Sequence, residues 1–175
     1  MLSGCQANPV SPSEAIGLLT KCKDFLSLCV LLLSQSEGVR FSYVAERYYY
    51  AMLSLARVVA GEDRFLWGFL GDEEKKGKHE RIWGACPKNV KELYGEQLKD
   101  LRVRCDYGVE RNDFQEDEYE AGLKSILHKD EVYNSLKEAV QNESLEISSR
   151  PSFSEEFNDL LDKIDDLRNT LKKKL

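Results

Sequence analysis

FSYVAERYYYAMLSLARVVA, residues Phe41 to Ala60, decides the fold. Val44, Tyr48, Ala51, Met52, Leu55 and Val59 recur at helical steps, so they share one face of an α-helix and form its core side. Arg47, Tyr50, Ser54 and Arg57 follow one another at three, four and three residues and form a separate polar stripe. Two readings of that stripe stay open: a solvated face, or one wall of an anion-binding cleft.

On the N-terminal side, residues 1–10 show no periodicity and read as a flexible arm, leaving 11–175 as a single helical domain. Ser11-Pro12-Ser13-Glu14 starts a helix: Ser11 can cap it, Pro12 suits the first helical position and Glu14 completes a capping box. The stripe Ile16, Leu19, Cys22, Leu26, Cys29 and Leu33, widened by Leu18, Phe25 and Leu32, suits a helix packed between neighbours. Cys22 and Cys29 lie two turns apart on that face and read as core. Gln35 to Gly38 ends this helix.

On the C-terminal side, Gly61 to Gly77 reads as the longest loop, with RFLWGFL docking its aromatics. His79 to Cys86 adds a short helix carrying Trp83, stopped by Pro87. The next long helix starts near Asn89 as cap and runs to Tyr107, with Val90, Leu93, Tyr94, Leu98, Leu101 and Cys105 inward and Gly108 as terminator. Asp100 with Arg104, and Arg102 with Asp106, stand four apart and pair along it. A fourth helix, Glu116 through Leu127, breaks near Lys129-Asp130 and resumes to about Val140. Asn142 to Pro151 reads as a linker. Ser154 caps a last helix with Phe157, Leu160, Leu161, Ile164, Leu167 and Leu171 inward, and Lys172-Lys173-Lys174 complement its C-terminal dipole.

The 175 residues hold 42% hydrophobic and 32% charged residues with four prolines, the signature of a globular, helix-rich domain. A net charge of −6 excludes a protein that coats nucleic acid non-specifically, since that mode needs a broad basic face. Five scattered cysteines with no CxxC pair fit reduced thiols in a cytoplasm. His79 and His128 have no ligand spacing to any cysteine, so neither a metal nor a cofactor is expected. The longest apolar run, FLSLCVLLL at Phe25 to Leu33, is about half of what a membrane-crossing helix requires. A cytoplasmic location without membrane contact is the expectation.

Two stretches together resemble the HEPN family, the higher eukaryotes and prokaryotes nucleotide-binding domain. RYYYAMLSLARVVAG, Arg47 to Gly61, is similar to the tyrosine pair and Ala-Arg run of that family's second helix. His79 followed by LRVRCDYG, Leu101 to Gly108, is similar to the Asp-Tyr signature ending its third helix. The resemblance covers about Phe41 to Gly108. It implies an all-α, up-and-down bundle of four to five helices, commonly a homodimer, whose cleft gathers the polar ends of the second and third helices. Many members are metal-independent ribonucleases of toxin-antitoxin, phage-defence or RNA-processing systems, often encoded beside a nucleotidyltransferase partner; others are not enzymes.

The family's catalytic pattern is an arginine, four to six residues, and a histidine, and this chain departs from it. Counting from Arg102 reaches Tyr107, Gly108 and Val109; counting from Arg104 reaches Val109, Glu110 and Arg111. Metal-free RNA cleavage needs a group titrating near neutrality beside a cation that stabilises phosphate. Arg104 suits the second task, and the first would fall to His79 or Glu46 reaching in from elsewhere. The leading expectation is therefore a HEPN-like module that binds a nucleotide, RNA or partner protein through Arg102, Arg104, Asp106 and Tyr107, with Arg47 and Tyr50 opposite. A ribonuclease with a displaced base, using Arg104 and His79, is one alternative, and a purely structural oligomerisation module the other.

Overall fold

In the computed structural model the chain is described over residues 8–35, 40–61, 79–107 (side chains to residue 103) and 116–175. It is an all-α bundle, with no β-strand among the described residues. The helices are α1 (Pro12–Leu33), α2 (Phe41–Ala60), α3 (79–84), α4 (Lys88–Val90), a π-helical segment (Lys91–Leu98), α5 (Lys99–Tyr107), α6 (Glu116–Leu127), α7 (Asp130–Ile147) and α8 (Pro151–Lys174). From α4 to α5 they form one continuous rod.

The middle of the bundle is α2, packed against α1, the π-helical segment, α5, α6 and α7. Its burial follows from that position: besides Val44, Tyr48, Ala51, Met52 and Leu55, the residues Ala45, Tyr49, Leu53, Ala56 and Val58 are buried. Val59 is only partly buried and Val58 takes its place inside. A helix wrapped on several sides needs more than one apolar stripe. Gly61 ends it at φ 77°, a left-handed conformation that glycine reaches at no steric cost.

Helix α1 starts as its sequence directs. The Ser11 hydroxyl accepts from the Glu14 amide at 3.3 Å, and Pro12 occupies the first turn. The Glu14 carboxylate reaches across to Arg57 Nη2 at 3.4 Å, joining α1 to α2. Cys22 and Cys29 are buried, and the Cys29 thiol donates to the Val44 carbonyl at 3.5 Å. Burial pushes the Cys22 thiol well up and the Cys29 thiol up to about 12, so both stay protonated and inert. Val10, at the edge of the expected arm, is buried in the same core.

Three expected boundaries move. The rod begins at Lys88 with Pro87 in the capping position; Asn89 lies inside the helix, and its Nδ2 donates to Ser135 Oγ at 3.0 Å. Helix α7 runs on to Ile147, so only 148–150 of the expected linker is non-helical. Nothing in Gln141 to Glu146 breaks a helix, and Leu145 is exposed on its outer side. Helix α8 begins at Pro151, three residues before Ser154, because a proline's fixed φ is preorganised for the first helical position.

The largest departure from the expected pattern is Arg168 of α8, only 3% exposed. Its Nη1 donates to Asp130 Oδ1 at 2.6 Å and its Nη2 to the carbonyl of Leu127, a carbonyl left open by the end of α6. Lys172, one turn on, donates to both Asp130 oxygens at 2.8 and 2.7 Å. The guanidinium carbon lies 4.3 Å from the centroid of Tyr133. Next to it, Tyr133 donates to Asp165 at 2.6 Å, and Lys137 pairs with the same carboxylate. This group ties α8 to the α6–α7 turn.

No helix among the described residues is long and apolar enough to cross a membrane.

Candidate functional site

Three consecutive tyrosines sit at about 100° intervals around α2, so each faces a different neighbour. Tyr48 points into the core against Tyr94, with ring centroids 6.3 Å apart. Tyr50 turns toward α1 and stacks on Phe25 at 5.8 Å. Tyr49, between them, is fully buried and meets α3: its ring lies 5.9 Å from His79 and 6.1 Å from Trp83.

The other wall comes from the rod. Leu98 and Leu101 are buried and anchor its end against the core. Arg102 follows, its guanidinium carbon 5.3 Å from the Tyr49 centroid and 5.0 Å from that of Tyr50. A guanidinium over aromatic faces gains cation–π attraction and stays only weakly hydrated. The two tyrosine rings meet edge to face at 5.6 Å, giving the cation a right-angled seat.

His79 completes the group. Its Nδ1 lies 2.9 Å from the Tyr49 hydroxyl, and Trp83 Nε1 donates to the same hydroxyl at 3.4 Å. Burial lowers the His79 pKa, and the charges of Arg102 and Lys99 lower it further. The imidazole is therefore neutral at pH 7 and sits in a positive field. Burial raises the Tyr49 pKa and keeps the phenol protonated. Lys99 itself lies 3.6 Å from Glu80.

Trp83 holds its position because the π-helical segment brings Gly95 against it. A β-carbon at Gly95 would stand 2.7 Å from Trp83 Cγ and 2.9 Å from its Cβ, closer than carbon atoms can approach. Only glycine fits under the indole here. The indole also lies 6.4 Å from Tyr94.

The structure thus gathers His79, Tyr50 and Arg102 of the expected residues and adds Tyr49, Trp83 and Lys99. Arg47 stands on the α1 side: its Nη1 is 4.0 Å from Glu46, and its charge acts on Cys29. Its neighbours on the polar stripe have structural partners. Ser54 is buried and donates to the Tyr50 carbonyl at 2.9 Å, while Arg57 holds Glu14. With Ser54 buried, the stripe is not a wholly solvated face. The side chains of Arg104, Cys105, Asp106 and Tyr107, and the loop around RFLWGFL, lie outside the described residues.

Trp83 and His79 are four apart on one helix, so their shared face was readable from sequence; Tyr49 was hidden among three tyrosines and Lys99 among ordinary surface charges. Among the described residues no group of three histidine, cysteine or acidic side chains is placed to hold a metal ion. Comparison with protein-family models, with curated proteins and with solved structures finds no match to this chain.

Proposed function

We propose that the chain is a HEPN-like helical module that binds a nucleotide or RNA through phosphate at the His79–Arg102 group, without a complete catalytic pair. The observation that supports this reading is the convergence of an arginine from the rod and an imidazole from α3 on the Tyr49–Tyr50 seat. Guanidinium offers phosphate two parallel hydrogen bonds, and tyrosine and histidine rings offer bases a surface to stack on. The resemblance extends the proposal to a homodimer working in a toxin-antitoxin or phage-defence setting, with a nucleotidyltransferase as the candidate partner.

Thermal unfolding with and without inorganic phosphate, nucleotides and short RNAs tests it. A ligand at one hundred times its Kd should stabilise the fold by about 2.7 kcal/mol, and Arg102→Ala should remove that gain. No stabilisation by any phosphate compound would overturn the proposal.

Cleavage of RNA is the second reading, favoured by one observation: His79 is held neutral beside cations, the state a general base needs. Incubation of an RNA pool with purified protein in chelator, beside His79→Ala and Arg102→Ala, decides it. Loss of wild-type cleavage in both variants would establish a ribonuclease and displace the binding reading.

A further inference from the structure

We infer that Tyr49 fixes the tautomer of His79, so that the imidazole offers an Nε2–H donor to a phosphate oxygen rather than a proton acceptor to a hydroxyl. The inference rests on the phosphate-binding reading above and names the role of one residue in that site.

The argument is one of hydrogen-bond capacity. A phenol oxygen accepts two hydrogen bonds and donates one, and indole and guanidinium N–H groups can only donate. Trp83 Nε1 donates to the Tyr49 oxygen at 3.4 Å, and His79 Nδ1 is the other hydrogen-bond neighbour of that oxygen. The indole can only donate, so the phenol's own proton must go to the one neighbour able to accept it, His79 Nδ1 at 2.9 Å. The opposite tautomer, with the proton on Nδ1, would set a second donor on that oxygen and leave the phenol O–H without an acceptor, the costly side of the hydrogen-bond balance. Protonating the ring on both nitrogens meets the same obstacle and adds a charge beside Arg102 and Lys99. Nδ1 is therefore the acceptor, and the single ring proton resides on Nε2, on the side of the ring away from Tyr49.

Trp83 acts here as a positioning residue, seated by Gly95 in the π-helical segment. Nε2–H of His79 is then a donor beside the tyrosine pair that carries the Arg102 guanidinium, and two such donor groups suit an oxyanion. A base for a 2′-hydroxyl would need Nε2 unprotonated, which this hydrogen-bond chain opposes.

Long-range nitrogen–proton correlation spectra of the full chain with labelled histidine, in a His128→Gln background so that His79 alone reports, test the tautomer. The expected result is a pyridine-like Nδ1 and a pyrrole-like Nε2 at neutral pH. Tyr49→Phe should move both nitrogens toward intermediate values, and Trp83→Phe should do so to a smaller degree. A pyrrole-like Nδ1 in the wild type would overturn the inference. Titration with inorganic phosphate and with a 5′-phosphorylated oligoadenylate tests the donor role. His79→Gln, which keeps an N–H near the Nε2 position, should hold affinity within about threefold, whereas His79→Ala should weaken it about tenfold, the order expected of one hydrogen bond to a charged group. Equal losses in the two variants would overturn the donor role. Absence of binding by the wild type, with the Nε2–H tautomer observed, would sink the phosphate reading and leave the tautomer standing.

Discussion

Arg168 and Arg102 both lie over tyrosine rings, and their surroundings differ. Arg168, over Tyr133, is sealed and holds a carboxylate, a helix-end carbonyl and a shared lysine neighbour. Arg102, over Tyr49 and Tyr50, is half-buried and lies near a neutral imidazole and a second cation. Opposite charges close upon one another in the first case; in the second, the guanidinium lies over two rings beside the Tyr49–His79 pair. A sealed arginine held by a carboxylate and a carbonyl reads as a clamp between elements, and a half-open one beside an imidazole reads as a candidate site.

The sharpest way to break this contrast is truncation of each arginine. Arg168→Ala leaves Asp130 and the Leu127 carbonyl without their buried partner, and urea unfolding should show a loss of about 3 kcal/mol. Arg102→Ala should cost about 1 kcal/mol, the scale of its cation–π contacts, while removing phosphate binding. Equal stability losses would make both arginines clamps.

Next in size is Gly95→Ala. The new methyl group meets the Trp83 ring and Cβ, so overpacking should cost about 1 to 3 kcal/mol and weaken phosphate binding by displacing the hydroxyl that orients His79. Loss of stability with binding unchanged would separate the indole from the site.

pH separates the two regions further. Hydrogen bonds from Lys172 and Arg168 lower the Asp130 pKa. A lowered carboxyl contributes stability that is present above its unfolded pKa, about 3.9, and lost as pH falls through the folded value. Asp130→Asn should flatten that acid limb in unfolding curves taken between pH 2 and 5.

His79 gives the smallest effect. Its pKa is also lowered, by burial first and then by Arg102 and Lys99, so the unfolded chain takes up the proton first. Stability should therefore decline as pH drops below about 6.5, and His79→Gln should remove that slope while leaving the acid limb intact.

Much of the bundle was readable from periodicity. The apolar faces of α1, α6 and α7 are buried as their spacing requires, and Ser11 and Pro12 start α1 as local chemistry dictates. Arg168 was not readable. A charged residue at a core position looks like a surface charge until Asp130, in another helix, is brought beside it, and no spacing within α8 encodes that partner. The candidate site was half readable. His79, Tyr50 and Arg102 could be singled out by residue type, but their meeting depends on how α3 and the rod cross α2. Arg47 shows the reverse: an arginine one turn from Tyr50 in sequence lies beside Glu46 at 4.0 Å. Tyr49 carries the hydrogen bond because of its angle on the helix, a difference of about 100° from either neighbour.

The π-helical turns of Lys91–Leu98 also set where the rod tolerates a change of length. A π-helical bulge holds an extra residue within an otherwise α-helical rod. Deleting one residue between Lys91 and Leu98 would remove that extra residue and let the rod relax to regular α-helix with Arg102 near its present phase, whereas a deletion in the α-helical stretch from Lys99 to Leu101 would turn Arg102 by about 100° off the tyrosines. A change of length is thus absorbed within the π-helical turns and disruptive just beyond them, where it would move Arg102 without altering any side chain around it.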